Sequence, residues 1–174
     1  MGFRSALLST MFVVTAPGAL AAAEWKQVKT RDFKADLPGT FKHVARNVKS
    51  AVGNIKLEIY QVSTKKGLFF AVMHSDYPPS VVKQKGTARV LDDARDGAIR
   101  NIRGKLDGES KIQLGKHHGR EFRFSATRGG IKLHGAWRLL IVNNRLYQLG
   151  IVSPFQRPDK KDVDRFFSSF QLLK

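Results

Sequence analysis

Apolar and polar residues alternate along several stretches of this chain, and two other stretches switch to a three- and four-residue spacing. The longest alternating stretch runs from Ile131 to Pro154, IKLHGAWRLLIVNNRLYQLGIVSP. It predicts two strands joined by Asn143-Asn144, because asparagine tolerates the left-handed backbone that a two-residue hairpin turn requires. That turn sets the register: Ile141 opposite Leu146, Leu139 opposite Gln148, and Trp137 opposite Gly150. Successive side chains on a strand point to opposite faces. One face of the hairpin therefore carries Trp137, Leu139, Ile141, Leu146 and Val152, and the other Leu140, Val142, Tyr147, Leu149 and Ile151. Both faces are apolar and both need covering, which places the hairpin at the centre of a sheet with helices on each side.

Shorter alternating segments supply the rest of the sheet. Trp25 to Val28 and Phe33 to Leu37 flank a turn at Thr30-Arg31-Asp32, and Phe41 to Val48 follows the Pro38-Gly39 break. Gly53 to Ser63 places Ile55, Leu57 and Ile59 on one face with Lys56 and Glu58 opposite, and Leu68 to Ser75 returns after the Thr64-Lys65-Lys66-Gly67 turn. Tyr77-Pro78-Pro79 ends that strand, since proline cannot donate to a ladder. Lys111 to Leu114 and Arg120 to Ser125 lead through Gly129-Gly130 into the long hairpin.

Two helices are predicted. From Thr87, Leu91, Ala94, Ala98 and Ile102 recur at helical spacing, with Asp92, Asp93 and Asp96 early and Arg100, Arg103 and Lys105 late. Acids first and bases last suit the helix dipole. Thr87 is the expected N-cap and Gly104 the expected stop. Near the end, Val163, Phe166, Phe167 and Phe170 make one apolar stripe, with Asp159 positioned to cap it. Two helices and six or more mainly antiparallel strands define an α+β class, a single-domain sandwich with helices on both faces of the sheet.

Charge and the N-terminus change the picture from fold to setting. The first residues, MGFRSALLSTMFVVTAPGALAAAEW, combine Arg4, an apolar run from Ala6 to Thr15 and small residues at Ala19 to Ala21. This is the pattern of a cleavable secretory leader, with cleavage after Ala21 or Ala23. The apolar run is well short of the roughly 20 residues that span a bilayer. Residues 1–23 are therefore predicted as leader and 24–174 as one domain, exported to the periplasm or secreted, with no transmembrane segment once the leader is removed. The chain has no cysteine, so stability must come from the core and attachment of lipid to cysteine is excluded. A net charge of +17 on 174 residues draws such a protein toward anionic surfaces. The basic residues form a diffuse coat without an arginine-rich tail.

Candidate chemistry is sparse. His74-Ser75-Asp76 has the residue types of an acyl-transfer triad, but neighbours on a strand point to opposite faces and cannot form the relay. No G-x-S-x-G turn is present to hold a nucleophile. His117-His118, with His134 approaching across the sheet, is the only histidine group, and zinc needs three or four converging ligands. Nucleic acid is not expected as a partner, because Phe69, Phe70, Phe122, Phe124 and Trp137 lie in apolar strands as core rather than as stacking platforms. No cofactor is expected.

Several segments together resemble the PsbP-like fold group. They are W-x3-K-T-R-D-F-x-A-D-L-P from Trp25, S-D-Y-P from Ser75, LDDARDGAIRNIRGKL from Leu91, LGKHHGREFRF from Leu114, NNRLYQLGIV from Asn143 and VDRFFSSFQL from Val163. The resemblance covers most of residues 24–174 and implies an antiparallel sheet between helices in a non-catalytic binding or assembly module. No feature points to a photosynthetic partner. The expectation is thus a non-enzymatic exported basic domain that binds or helps assemble an unknown protein or an anionic envelope component. Lys132, His134 and Arg138 share one face of the first hairpin strand, and with Lys116 and Arg120 nearby they form the expected contact surface. Arg138 has an alternative role, snorkelling at the sheet edge. The alternative function is a small-ligand-binding or hydrolytic domain with its site between sheet and helix.

Overall fold

The computed structural model describes residues 24–50 and 53–173; the predicted leader lies outside them. In chain order the elements are β1 (Trp25–Lys29), β2 (Phe33–Pro38), β3 (Lys42–Ser50), β4 (Gly53–Ser63), β5 (Phe69–Asp76), α1 (Pro79–Lys85), α2 (Thr87–Asn101), β6 (Lys105–Leu114), β7 (His117–Arg128), β8 (Ile131–Val142), β9 (Arg145–Pro154), α3 (Lys160–Ser169) and β10 (Gln171–Leu172). Seven strands form one antiparallel sheet in the order β3-β4-β5-β9-β8-β7-β6. The β8–β9 hairpin sits at its middle in the predicted register, with Ile141 opposite Leu146, Leu139 opposite Gln148 and Trp137 opposite Gly150. Asn143 takes the left-handed conformation at φ +57°, and Asn144 exchanges hydrogen bonds of 2.8 and 2.9 Å with the backbone of Tyr77. The hairpin turn is thereby tied to the end of β5.

The two apolar faces have different covers. Leu139, Ile141 and Leu146 join Phe122 and Phe124 under Val90 and Leu91 of α2. On the other face Leu140, Tyr147, Leu149 and Ile151 pack against Val163, Phe166 and Phe167 of α3 and against Val28, Phe33, Ala35 and Leu37. Helices lie on both faces, as the pattern predicts. The second cover, however, is shared by a separate three-stranded sheet, β1-β2-β10. β2 turns Phe33, Ala35 and Leu37 onto the main sheet, fully buried, while its backbone pairs with β1 and with the two-residue β10 that ends the chain. α3 has the expected stripe, and the Asp159 side chain accepts from the Lys161 backbone N–H at 2.8 Å.

Four local details differ from the pattern. Pro79 begins the short α1 rather than only ending a strand, because proline suits the first helical position. α1 buries no residue, so it leaves no apolar stripe to read. α2 is capped by Gly86 at φ +76°, with Thr87 already its first residue and making no cap bond; the sharp turn from α1 sets that start. The helix ends at Ile102, and Arg103 rather than Gly104 takes the left-handed step at φ +51°. β6 starts six residues before Lys111, at Lys105. It is the exposed edge strand, so its first half shows no alternation. The register shift between Leu106 and Gly108 blunts this open edge.

Candidate functional site

The five residues expected at the anionic contact are not gathered in one place. Lys132, His134 and Arg138 do share a face of β8, since alternation makes it so. Arg120 stands opposite Leu139 in the register and therefore lies on the other face, only 7 % exposed. There Asp92 of α2 lies 3.1 Å from its guanidinium and Glu109 of β6 3.3 Å, and Glu109 also pairs with Arg95 at 2.6 Å. Asp92, read in sequence as a first-turn acid for the helix dipole, is the link between α2 and the sheet. Alternation alone could have placed Arg120 beside Phe122 and Phe124, but its carboxylate partners come from elements distant in sequence.

Arg138 is engaged as well. It holds Glu121 through two hydrogen bonds of 2.7 and 3.1 Å, donates to the Phe167 carbonyl at 2.9 Å and stacks 4.6 Å from the Phe167 ring. It pins α3 to the sheet. His134 is half-buried, with Nδ1 enclosed and unbonded. Lys132 and Lys116 are exposed, but they stand at opposite ends of β7, about 35 Å apart at the ordinary strand rise.

The catalytic and metal combinations do not assemble either. His74 packs edge-on to Phe33 and near Tyr147. Ser75 points to the opposite face, 1 % exposed. Asp76 is held by Arg145 through bonds of 2.6 and 2.8 Å, and Arg145 also pairs with Asp32. Burial and the Arg145 charge keep the His74 imidazole below its ordinary pKa, and the bond from Arg145 lowers Asp76. Asp76 and Arg145 are direct neighbours across β5 and β9, so the Asp76 shift arises within the main sheet, while the His74 shift comes first from its burial. His117 and His118 are consecutive on β7 and diverge, while His134 pairs with Ser125, seven residues further along. Among the described residues no three potential ligands gather to hold a metal ion.

One concave feature does form, between the helical layer and the sheet. A cleft of about 420 Å³ opens beneath α2. α2 covers β7 and β8, leaving the same face of β4 and β5 without a helix. Leu57, Met73 and Trp137 make an apolar floor, and Lys85 and Arg100 stand at the rim. The Trp137 indole N–H donates to Gln148 Oε1 at 3.3 Å, satisfying the polar atom on that floor. Ala94, Gly97 and Ala98 are small residues among those that α2 turns to the cleft, and they help keep it open.

The architecture defines a class: an antiparallel α+β sandwich whose central hairpin is covered by a helix on one side and by a helix with a small sheet on the other. The chain has a PsbP-like fold. The solution structure of cyanobacterial PsbP (CyanoP) from Synechocystis sp. PCC 6803 is similar, with a TM-score of 0.59 over 92% of this chain and 99% of that one, at 12% identity. So is LpqN of Mycobacterium tuberculosis, with a TM-score of 0.51 over 87% and 91% of the two chains, at 13% identity. No protein-family model and no curated protein matches the sequence. Among the described residues no helix is long and apolar enough to cross a membrane.

Proposed function

We propose that this is an exported, non-enzymatic binding domain whose partner is an anionic component of the cell envelope. The observation that carries the reading is how the charge is used. Several acids are committed to ion pairs within the molecule: Asp92 and Glu109 to Arg120 and Arg95, Asp32 and Asp76 to Arg145, Glu121 to Arg138. In a chain of net charge +17, exposed cations such as Lys116 and Lys132 are left without an ion-pair partner among the described residues. The leader pattern of residues 1–23 supports export, and LpqN, similar in fold, is involved in cell envelope biogenesis. Of the five residues expected at the contact, Lys132 and Lys116 keep an exposed charge for such a role. Arg120 and Arg138 contribute by holding the sheet to its helices, and His134 is half-buried.

The purified protein is expected to bind anionic vesicles or an acidic polysaccharide at low salt. Binding should weaken steeply as the Debye length contracts to about 10 Å at 0.1 M salt. Equal binding to neutral and anionic surfaces, or none to either, would contradict this reading.

The cleft favours a second reading, a site for a small apolar ligand with an acidic group against Arg100, since Lys85 is held by Asp93 at 2.7 Å. An environment-sensitive apolar dye should then gain fluorescence on the folded protein, and Gly97→Leu, which fills the cleft, should abolish the gain. No gain with the unaltered protein would remove the second reading.

A further inference from the structure

The end of the main sheet away from the Asn143-Asn144 turn gathers exposed apolar and basic side chains. Three connections meet there: the β4–β5 turn, the β7–β8 turn and the segment from β9 to α3. Phe155, directly after β9, is 73 % exposed and adopts φ +68°. Bulky side chains rarely occupy that left-handed region, and a strained, solvent-facing aromatic is a reason to look for a function. The conformation is held by the Phe155 N–H donating to the Lys132 carbonyl at 2.7 Å. Beside it, Ile131 at the start of β8 is 42 % exposed. Only three large hydrophobic side chains are exposed among the described residues, and these are two of them; Leu106 on the edge strand is the third.

Cations surround the pair. Arg128 stands opposite Ile131 in the register, Lys132 is bonded to Phe155, and Arg157 follows two residues on. Lys65 and Lys66 belong to the β4–β5 turn, which lies against this segment: a β-carbon on Gly67 would be 3.3 Å from Pro154 Cγ. All five are exposed, and none takes part in an ion pair among the described residues. Arg157 also borders a concavity with Asp107, Glu109 and Glu121, but these acids are engaged elsewhere, Asp107 accepting from Ser125, Glu109 with Arg95 and Arg120, and Glu121 with Arg138, while Asp159 caps α3.

We propose that this end docks on an anionic lipid bilayer. Phe155 and Ile131 enter the headgroup layer, and Lys65, Lys66, Arg128, Lys132 and Arg157 face the anionic headgroups. The proposal rests on the anionic-envelope reading and names its partner. A protruding aromatic ring with flanking cations is the chemistry of a membrane interface, where rings sit at headgroup level and basic residues meet anionic lipid. A soluble polyanion would use the cations and leave the ring in water. Bilayer insertion uses both.

The test is flotation of the protein, purified as the cell processes it, with phosphatidylcholine vesicles containing about a third phosphatidylglycerol, a content chosen to mimic an anionic leaflet. Pure phosphatidylcholine vesicles and a soluble acidic polysaccharide are the comparisons. The doubly substituted Phe155→Ser, Ile131→Ser protein is expected to bind the mixed vesicles at least ten-fold more weakly, with its unfolding midpoint nearly kept because both side chains are exposed. Phe155→Gly, which suits the positive φ, should show a loss in the same direction. Lys132→Gln with Arg157→Gln should weaken binding and flatten its salt dependence. Mixed-vesicle binding that ignores the Phe155 and Ile131 substitutions overturns this end as the docking surface and leaves the broader reading standing. Binding to the polysaccharide without binding to vesicles overturns the lipid assignment alone. Binding to no anionic surface removes both.

Discussion

Alanine at Gly135 is expected to lower the unfolding midpoint by roughly 10 °C, and valine there to prevent folding. Gly135 lies in β8 opposite Phe124 on one side and Val152 on the other. A β-carbon added to it would stand 2.2 Å from Phe124 Cζ and 2.9 Å from the Ile151 carbonyl oxygen. Phe124 is 3 % exposed and its ring can give only toward the cleft it borders, while the Ile151 carbonyl is backbone and cannot move aside without disturbing the β8–β9 ladder. Overpacking of this kind costs about 3 kcal/mol, and a domain of this size loses a few degrees per kcal/mol. The double substitution Gly135→Ala, Phe124→Leu should recover part of the loss, because the two sites share one volume. Thermal melts of the three proteins decide it. An unchanged midpoint for Gly135→Ala would mean that β8 and the Phe124 ring are not in this contact.

Arg120→Leu is expected to destabilise the protein by about 3 kcal/mol, the range for removing one partner of a buried ion pair. The change leaves Asp92 and Glu109 facing each other with only Arg95 between them, and it loosens α2 from β6 and β7. Lys116→Ala, at an exposed turn, should stay within about 0.5 kcal/mol of the parent. Urea unfolding of both proteins separates a structural arginine from a surface lysine. Equal stabilities would contradict the placement of Arg120 between helix and sheet.

Where apolar residues alternate or recur at helical spacing, the chain declares its own structure. The β8–β9 register follows from Asn143-Asn144 and the two apolar runs, and α3 follows from Val163, Phe166, Phe167 and Asp159. The elements that escape such reading bury little. α1 has no buried side chain, β6 is an exposed edge, and β10 is two residues that pair with β2. The division of β1 and β2 into their own sheet is a matter of which backbone pairs with which, and alternation says nothing about that. Charged residues are the hardest case. Lys132 and Arg120 look alike in a sequence, yet one faces solvent and the other is held by carboxylates 28 and 11 residues away. The cleft depends on how much of the sheet α2 covers, a property of docking rather than of any segment. Phe155 did carry a signal, an aromatic residue between Pro154 and Pro158 just outside the last long strand.

Backbone amide NMR of the folded protein, titrated with phosphatidylcholine bicelles containing phosphatidylglycerol, tests the proposed role most directly. The largest shifts are expected on Lys65 to Gly67, Arg128 to Lys132 and Phe155 to Arg157, and added salt should reverse them. Shifts centred instead on the α2 cleft at Gly97, Arg100 and Trp137, or absent altogether, would contradict it.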